Sequence, residues 1–332
     1  MHRNQLTHGT HLAHVACASR VLMLVLLCAG QAWAQGYPSK PIRAVNPWPP
    51  GSGSEHISRV ILQKLSESLK QPIVLDSRPG ANGMIGTDFV AKSAPDGYTL
   101  LVSHVGPTAI SPAMQPMPYD SVKDLAPITQ LVSGPLILLV TSDSPFRTMR
   151  DIVTHARAHP GALSYGSVGP GSTTHLAGAM LGLAEKVDLL HVPYKGGSPV
   201  MVDLLGKRIS MAFISSAGAK PQIESGKLRP IAVTTQRRSA LFPEVPAIAD
   251  SIAEFEVNSW YGLMAPGGTP RDILDRLNAE TVKVLAAPDV VQSLRAAGLD
   301  IEGSSREQFA ERIRKDLARW SSFVKATGIT AN

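Results

Sequence analysis

YGSVGPGSTTHLAG, residues 165–178, places four glycines and a proline between a short strand-like segment and a helix-like run. Turning a corner needs far less bare backbone. LSYGSV before it reads as a strand, and STTHLAGAMLGLAEK after it carries a helical apolar pattern. A helix start offers unpaired amides and a partial positive charge. Glycine removes the Cβ, so an anion's oxygens can approach the backbone. Residues 166–173 therefore read as an anion cradle, most simply for a carboxylate, with Ser167, Gly169, Gly171, Ser172 and Thr173 at its rim. The competing reading is an ordinary strand-to-helix turn capped by Ser172. His175 either donates to a bound carboxylate or supports the loop from one turn inside the helix.

Two more stretches share this design: PWPPGSGSEH (47–56) and PGANGMIG (79–86). In an α/β sheet such loops sit at the carboxyl ends of strands, where ligands bind. They contribute Ser52, Gly53 and Ser54, and Asn82, Gly83 and Met84, as candidate contacts. Trp48 is either a wall over the apolar body of a ligand or simple core. Glu55 either receives a ligand ammonium or sits favourably in the first helical turn. His104 ends a strand and so falls near the cleft. Tyr194 and Lys195 lie in a strand-to-helix loop, where Lys195 is either an anion partner or a solvated lysine.

Short apolar strands alternate with amphipathic helices along the whole chain, which predicts an α/β fold with a mostly parallel sheet. The continuous apolar run GPLILLVTSDS reads as a buried strand. ISMAFISS and LRPIAVTT read as consecutive strands, and the last 60 residues read as mainly helical. Two α/β lobes are expected, residues 35–137 plus 258–332 and residues 138–257.

The first 34 residues stand apart. Arg3 and Arg20 are their only charged residues, VLMLVLLCAG follows, and Ala32 to Ala34 form a small-x-small site. This predicts a secretory signal peptide cleaved after Ala34, and hence an exported protein, which the resemblance given below implies is periplasmic. Its removal takes both cysteines and two of the basic residues, so the net charge falls from +6 to +4. Thiol nucleophiles and cysteine-based metal sites are thereby excluded. The basic residues are scattered, without a run interleaved with aromatics, so nucleic acid is not an expected partner. A small positive balance suits an anionic small molecule.

Sharper motifs are missing. No GxxxxGK[ST] occurs, because Arg208 and Leu228 follow the glycine-lysine pairs at 207 and 227. The glycines at 80, 83 and 86 give GxxGxxG rather than a dinucleotide fingerprint. There is no GxSxG elbow around Ser167, and no HExxH. His155 and His159 have helical i,i+4 spacing but no third ligand. No cofactor or metal is expected.

Taken together, YPSKPIRAVNPWPPGSGSEHISR, RPGANGMIG, APDGYTLL, YGSVGPGSTTHLAG, HVPYKGGSPVMVDLLGKRI and FPEVPAI through WYGLMAPGGTP resemble the Bug proteins, periplasmic receptors of tripartite tricarboxylate transporters. The resemblance runs along the whole chain after residue 35. It implies a two-lobed Venus-flytrap receptor of the type II periplasmic-binding-protein kind. Such a receptor traps a small organic acid between its lobes and passes it to a permease with a large and a small subunit. The family's first-lobe loop falls on residues 49–55, with Ser52 for a second glycine and Glu55 for the usual Asp. Its second-lobe loop falls on residues 167–175 and matches well. Its strand ending in Asp reads MAFISS here, with Ile214 at that position and Ser215 next. Met84, where Asn is frequent, makes the wall more apolar. The resemblance also implies a non-enzymatic monomer. Two other outputs remain open: a sensor kinase reading the loaded form, and a secreted serine hydrolase using Ser167 with His175 or His191.

Overall fold

The computed structural model describes residues 36–330. The expected leader, residues 1–34, lies outside the described residues. Among the described residues no helix is long and apolar enough to cross a membrane.

The first βα unit shows how local sequence sets the architecture. Strand β1 (Ile42–Asn46) leads into helix α1 (Gly53–Leu69). Ser52 is the N-cap, its Oγ accepting the Glu55 amide. Ile57, Ile61, Leu65 and Leu69 recur at helical spacing and are buried, while Lys70 closes the helix in the left-handed conformation. Strands β2 (Ile73–Ser77) and β3 (Thr99–His104) flank β1, both parallel to it. Between them lie a 3-10 turn, Ala81–Gly83, and helix α2 (Met84–Ala91). A π-helical turn, Gly106–Ile110, runs into the short helix α3 (Ser111–Met114).

Strand β4 (Leu125–Thr141) organises the rest. It is 17 residues long, and its two halves have different partners. Leu125 to Pro135 pair with β9 (Asn258–Pro266), whereas Leu136 to Thr141 pair with β7 (Met211–Ser215) and β8 (Leu228–Val233). With β5 (Ser164–Ser167) and β6 (Leu190–Pro193) the order is β2-β1-β3-β9-β4-β7-β5-β6, and β8 and β10 (Asp300–Ile301) also pair with β4.

The sheet is mixed, which corrects the expectation of a mostly parallel one. β1, β2 and β3 are mutually parallel, as are β5, β6 and β7, but every pair made by β4 or β9 is antiparallel. The parallel pairs lie within two runs of strands joined by successive helical crossovers, β1 to β2 to β3 and β5 to β6 to β7. β4 and β9 are not joined to their neighbours in that way, so the crossover rule does not reach them.

Helices α4 (Met149–Ala158), α5 (Thr173–Glu185) and α6 (Gly197–Leu205) connect β4 through β7. Helix α7 (Ser216–Glu224) connects β7 to β8. It replaces the direct strand-to-strand link read from the sequence. Gly218 and Pro221 lower its intrinsic helicity, and packing against β4, β7 and β8 supplies what propensity lacks. Helices α8 (Arg271–Leu285), α9 (Pro288–Ala296) and α10 (Arg306–Thr327) complete the chain.

Candidate functional site

A cavity of about 300 Å³ opens where the starts of four helices meet. Ser52, Gly53 and Ser54 line it from α1, Thr173 and Thr174 from α5, Gly197 and Ser198 from α6, and Ser215 and Gly218 from α7. All four helices are nine residues or longer. Their first amides have no acceptor among the described residues: Gly53 and Ser54, Thr173 and Thr174, Gly197 and Ser198, Ser216 and Ala217. Each helix start also carries roughly half a positive charge. Among the described residues no Asp, Glu, Lys or Arg lines the cavity.

The α5 loop is more self-sufficient than its glycines suggest. Thr174 Oγ1 accepts the Val168 amide, Ser167 Oγ the Gly169 amide, His175 Nδ1 the Gly171 amide, and the Gly169 carbonyl the Ser172 amide. Ser172 Oγ accepts from the His175 amide and donates to the Gly169 carbonyl. Residues 167–172 thus stabilise their own turn, and the free donors are the two amides that follow. Of this loop, Val168, Thr173 and Thr174 line the cavity; Ser167, Gly169, Gly171, Ser172 and His175 lie behind it.

Trp48 also lines the cavity. It is 8% exposed, and its indole N–H has no partner among the described residues. His104 packs edge-on against it at 5.4 Å. The Gly106 amide donates to His104 Nδ1 at 3.1 Å, so the ring proton is on Nε2, which donates to Ser259 Oγ at 2.7 Å. Ser259 therefore keeps its own O–H to give, and Ser259 and Tyr261 both line the cavity. Burial pushes His104 down to about 3, so it is a neutral orienting group rather than a cation.

The 79–86 turn does not reach the cavity. It backs Trp48: a Cβ on Gly83 would lie 3.6 Å from Trp48 Cζ2. Asn82 donates to Ser111 Oγ, and Met84 Sδ accepts from Gln115 Nε2. Glu55 faces its own turn, where its carboxylate accepts from the Gly51 amide and from Arg59, and these hold it below the usual carboxylate range. Tyr194 donates to Asp203, and Lys195 is exposed and away from the lining.

Ser167 is fully buried, and its Oγ pairs with His191 Nε2 at 2.6 Å, while His175 is engaged with Gly171. No carboxylate hydrogen-bonds either imidazole among the described residues. A hydrolytic dyad of Ser167 and His175 is therefore not assembled. Instead, Tyr165, His191 and His175 stack, with ring centroids 5.0 and 4.2 Å apart.

Burial, with His191 adding to it, pushes His175 to about 4, and burial also lowers His191. With His104, three imidazoles are shifted toward the neutral form by burial. Below about pH 6.5 the unfolded chain takes up protons on them more readily than the folded chain does, so their stabilisation is full above that pH and is lost toward acid. Urea unfolding is expected to show stability falling by a few kcal/mol from pH 7 to pH 5, at a limit of about 1.4 kcal/mol per pH unit for each imidazole. Carboxylates stay largely ionised in that window, so a flat profile would mean that the rings are solvated.

The sequence reading missed Leu136, Ser198, Met201, Val202, Leu205, Gln222 and Tyr261, all in the lining. KGGSP, at the start of α6, carries the same strand, glycine turn and helix pattern as the loops that were read, and was legible by the same rule. Gln222 lies on the helix that was not foreseen.

Helix starts around one cavity, with hydroxyls and the Trp48 indole at its wall, fit a solute-binding protein with an α/β fold. The chain belongs to the family described as tripartite tricarboxylate transporter family receptor, whose profile matches residues 57–329. It is 39% identical over 298 residues to a UPF0065 protein from the tcbD-tcbE intergenic region of Pseudomonas sp. (strain P51), covering 89% of each chain. The solved structure of the periplasmic binding protein BugD matches with a TM-score of 0.84 at 30% identity, covering 89% of this chain and 99% of that one. R. palustris Rpa4515 with adipate matches at 0.85 and 32%, with the same coverage. The fold is that of the periplasmic binding proteins.

Proposed function

We propose that the protein is the periplasmic receptor of a tripartite transporter and that it carries a small organic acid to the membrane permease. One observation carries this reading: four helix starts line a single cavity, three of them (α1, α5 and α6) with residues whose amides are free, and no charged side chain lines it among the described residues. Such a site favours an anion through oriented N–H groups and helix dipoles. The unpaired Trp48 N–H is a further donor at the same cavity. The adipate held by the R. palustris relative is a ligand of the same chemistry.

In this reading residues 35–137 plus 258–332 form one lobe and residues 138–257 the other. The change of partners along β4 between Pro135 and Leu136 supports that division. Closure brings Gly53 against Ala217 and Pro49 against Gly196. Gly196 has φ +127°, and a Cβ there would lie 2.9 Å from Pro49 Cγ, so glycine suits both the turn and the approach. A guest gripped from both sides selects the closed state. Residues 1–34 are removed on export, so intact-mass measurement of periplasmic extract should find a chain starting at Gln35.

Thermal-shift measurements with small free carboxylic acids and their primary amides test the central claim. A binding acid at a hundred times its Kd should stabilise the fold by about 2.7 kcal/mol, while its amide leaves the melting temperature unchanged. Equal stabilisation by acid and amide would rule out an anion site, and product formation from an ester would favour the hydrolase.

A further inference from the structure

Resting on the carboxylate reading above, we propose that the guest carries one carboxylate on an apolar body, with the body lying along the facing sides of α6 and α7. The lining residues of α6 are Gly197 and Ser198, then Met201, Val202 and Leu205. That spacing keeps one helix face on the cavity for the whole helix. It begins with free amides and turns apolar after one turn, and Leu205 lies about 12 Å from the start at 1.5 Å per residue. Along α7, Gly218 gives way to Gln222 one turn later, with Leu136 and Ile214 completing the apolar part.

A second carboxylate has no partner at that end. No charged side chain lines it. The cations just beyond α6 are engaged, Lys207 with Asp143 and Arg208 with Asp203. Lys220 on α7 faces Glu224. The helices that attract an anion at their starts present carbonyls and partial negative charge at their ends. An anion there loses water and meets repulsion, whereas an alkyl or aryl group removes Met201, Val202 and Leu205 from water. Gln222 Oε1 is buried without a donor among the described residues, so a neutral hydroxyl at the far end of the guest is tolerated and completes it. A volume of about 300 Å³ equals roughly ten waters at about 30 Å³ each, room for a six-carbon acid, so the far-end chemistry and not size has to discriminate. This guest differs from the adipate in the R. palustris relative.

The matched probes are hexanoate, 6-hydroxyhexanoate and adipate, which share a six-carbon chain and differ only at the far end. Isothermal titration of the purified protein is expected to give hexanoate and 6-hydroxyhexanoate at least tenfold lower Kd than adipate. Val202 is 61% exposed, so Val202→Arg should fold and place a cation at the apolar end. That variant should move the hexanoate-to-adipate ratio at least tenfold toward adipate. Adipate binding as tightly as hexanoate to the unaltered protein, or an unchanged ratio in Val202→Arg, would overturn the proposal and leave the anion site standing. Hexanamide binding as well as hexanoate, or no response to any of the acids, would sink the carboxylate reading itself.

Discussion

Thr173→Pro is expected to weaken binding of the preferred acid roughly 10- to 150-fold while the fold survives. Thr173 is the first residue of α5; it lines the cavity, and its amide has no partner among the described residues. Proline at a first helical position is well tolerated, because the N–H it lacks has no place in the helix and its fixed φ suits the helix. The residue before it must be extended, and Ser172 already has φ −85° and ψ 161°. The substitution therefore deletes one donor to the anion and little else in the backbone. A hydrogen bond to a charged group contributes about 1.5–3 kcal/mol, which sets the range. Thr173→Ala is the control, since it loses the hydroxyl and keeps the amide. Calorimetric Kd values should separate the two, with circular dichroism showing both folded. Wild-type affinity in a folded Thr173→Pro protein would remove α5 from the site. Equal losses in both variants would move the contact from the amide to the side chain.

The sequence exposed the strand–turn–helix units because their signals are local. Ser52 and Ser172 cap helices where a hydroxyl precedes a helical apolar pattern, and both loops reach one cavity. What stayed hidden was long-range. Nothing in residues 165–178 says that the amides of Val168, Gly169, Gly171 and Ser172 find partners within the loop, because those bonds depend on where Thr174 and His175 turn their side chains. Residues 79–86 look like the other two loops, yet they pack behind Trp48. Their order along the chain carries no record of that depth. Helix α7 was masked by Gly218 and Pro221, whose local cost is outweighed by packing. β4 was read only in its apolar second half. Its first half, LAPITQLVS, alternates less clearly and is fixed by pairing with β9, over 120 residues away in sequence.

Gly262→Ala is expected to destabilise the protein by about 3 kcal/mol or more, lowering the melting temperature by roughly 5–10 °C. A Cβ at 262 would stand 2.1 Å from Phe309 Cζ and 2.5 Å from Cε1, far inside contact distance. Phe309 has no room to retreat. It is fully buried, and the Trp260 ring packs edge-on against it at 5.3 Å. The Trp260 indole N–H donates to Asp316 Oδ2 at 2.7 Å, and Arg312 Nε donates to the same oxygen at 2.9 Å, so that ring is held as well. The strain therefore passes into the seat of α10 on β9. Phe309→Leu removes the clashing ring edge, so the double variant Gly262→Ala/Phe309→Leu should be more stable than Gly262→Ala alone, which is non-additive coupling between touching residues. β9 also carries Ser259 and Tyr261 into the cavity, so the double variant should regain part of the ligand response that Gly262→Ala loses. If Gly262→Ala melts within a degree of the unaltered protein, Phe309 is free to move and α10 is not fixed to the cavity floor through that ring.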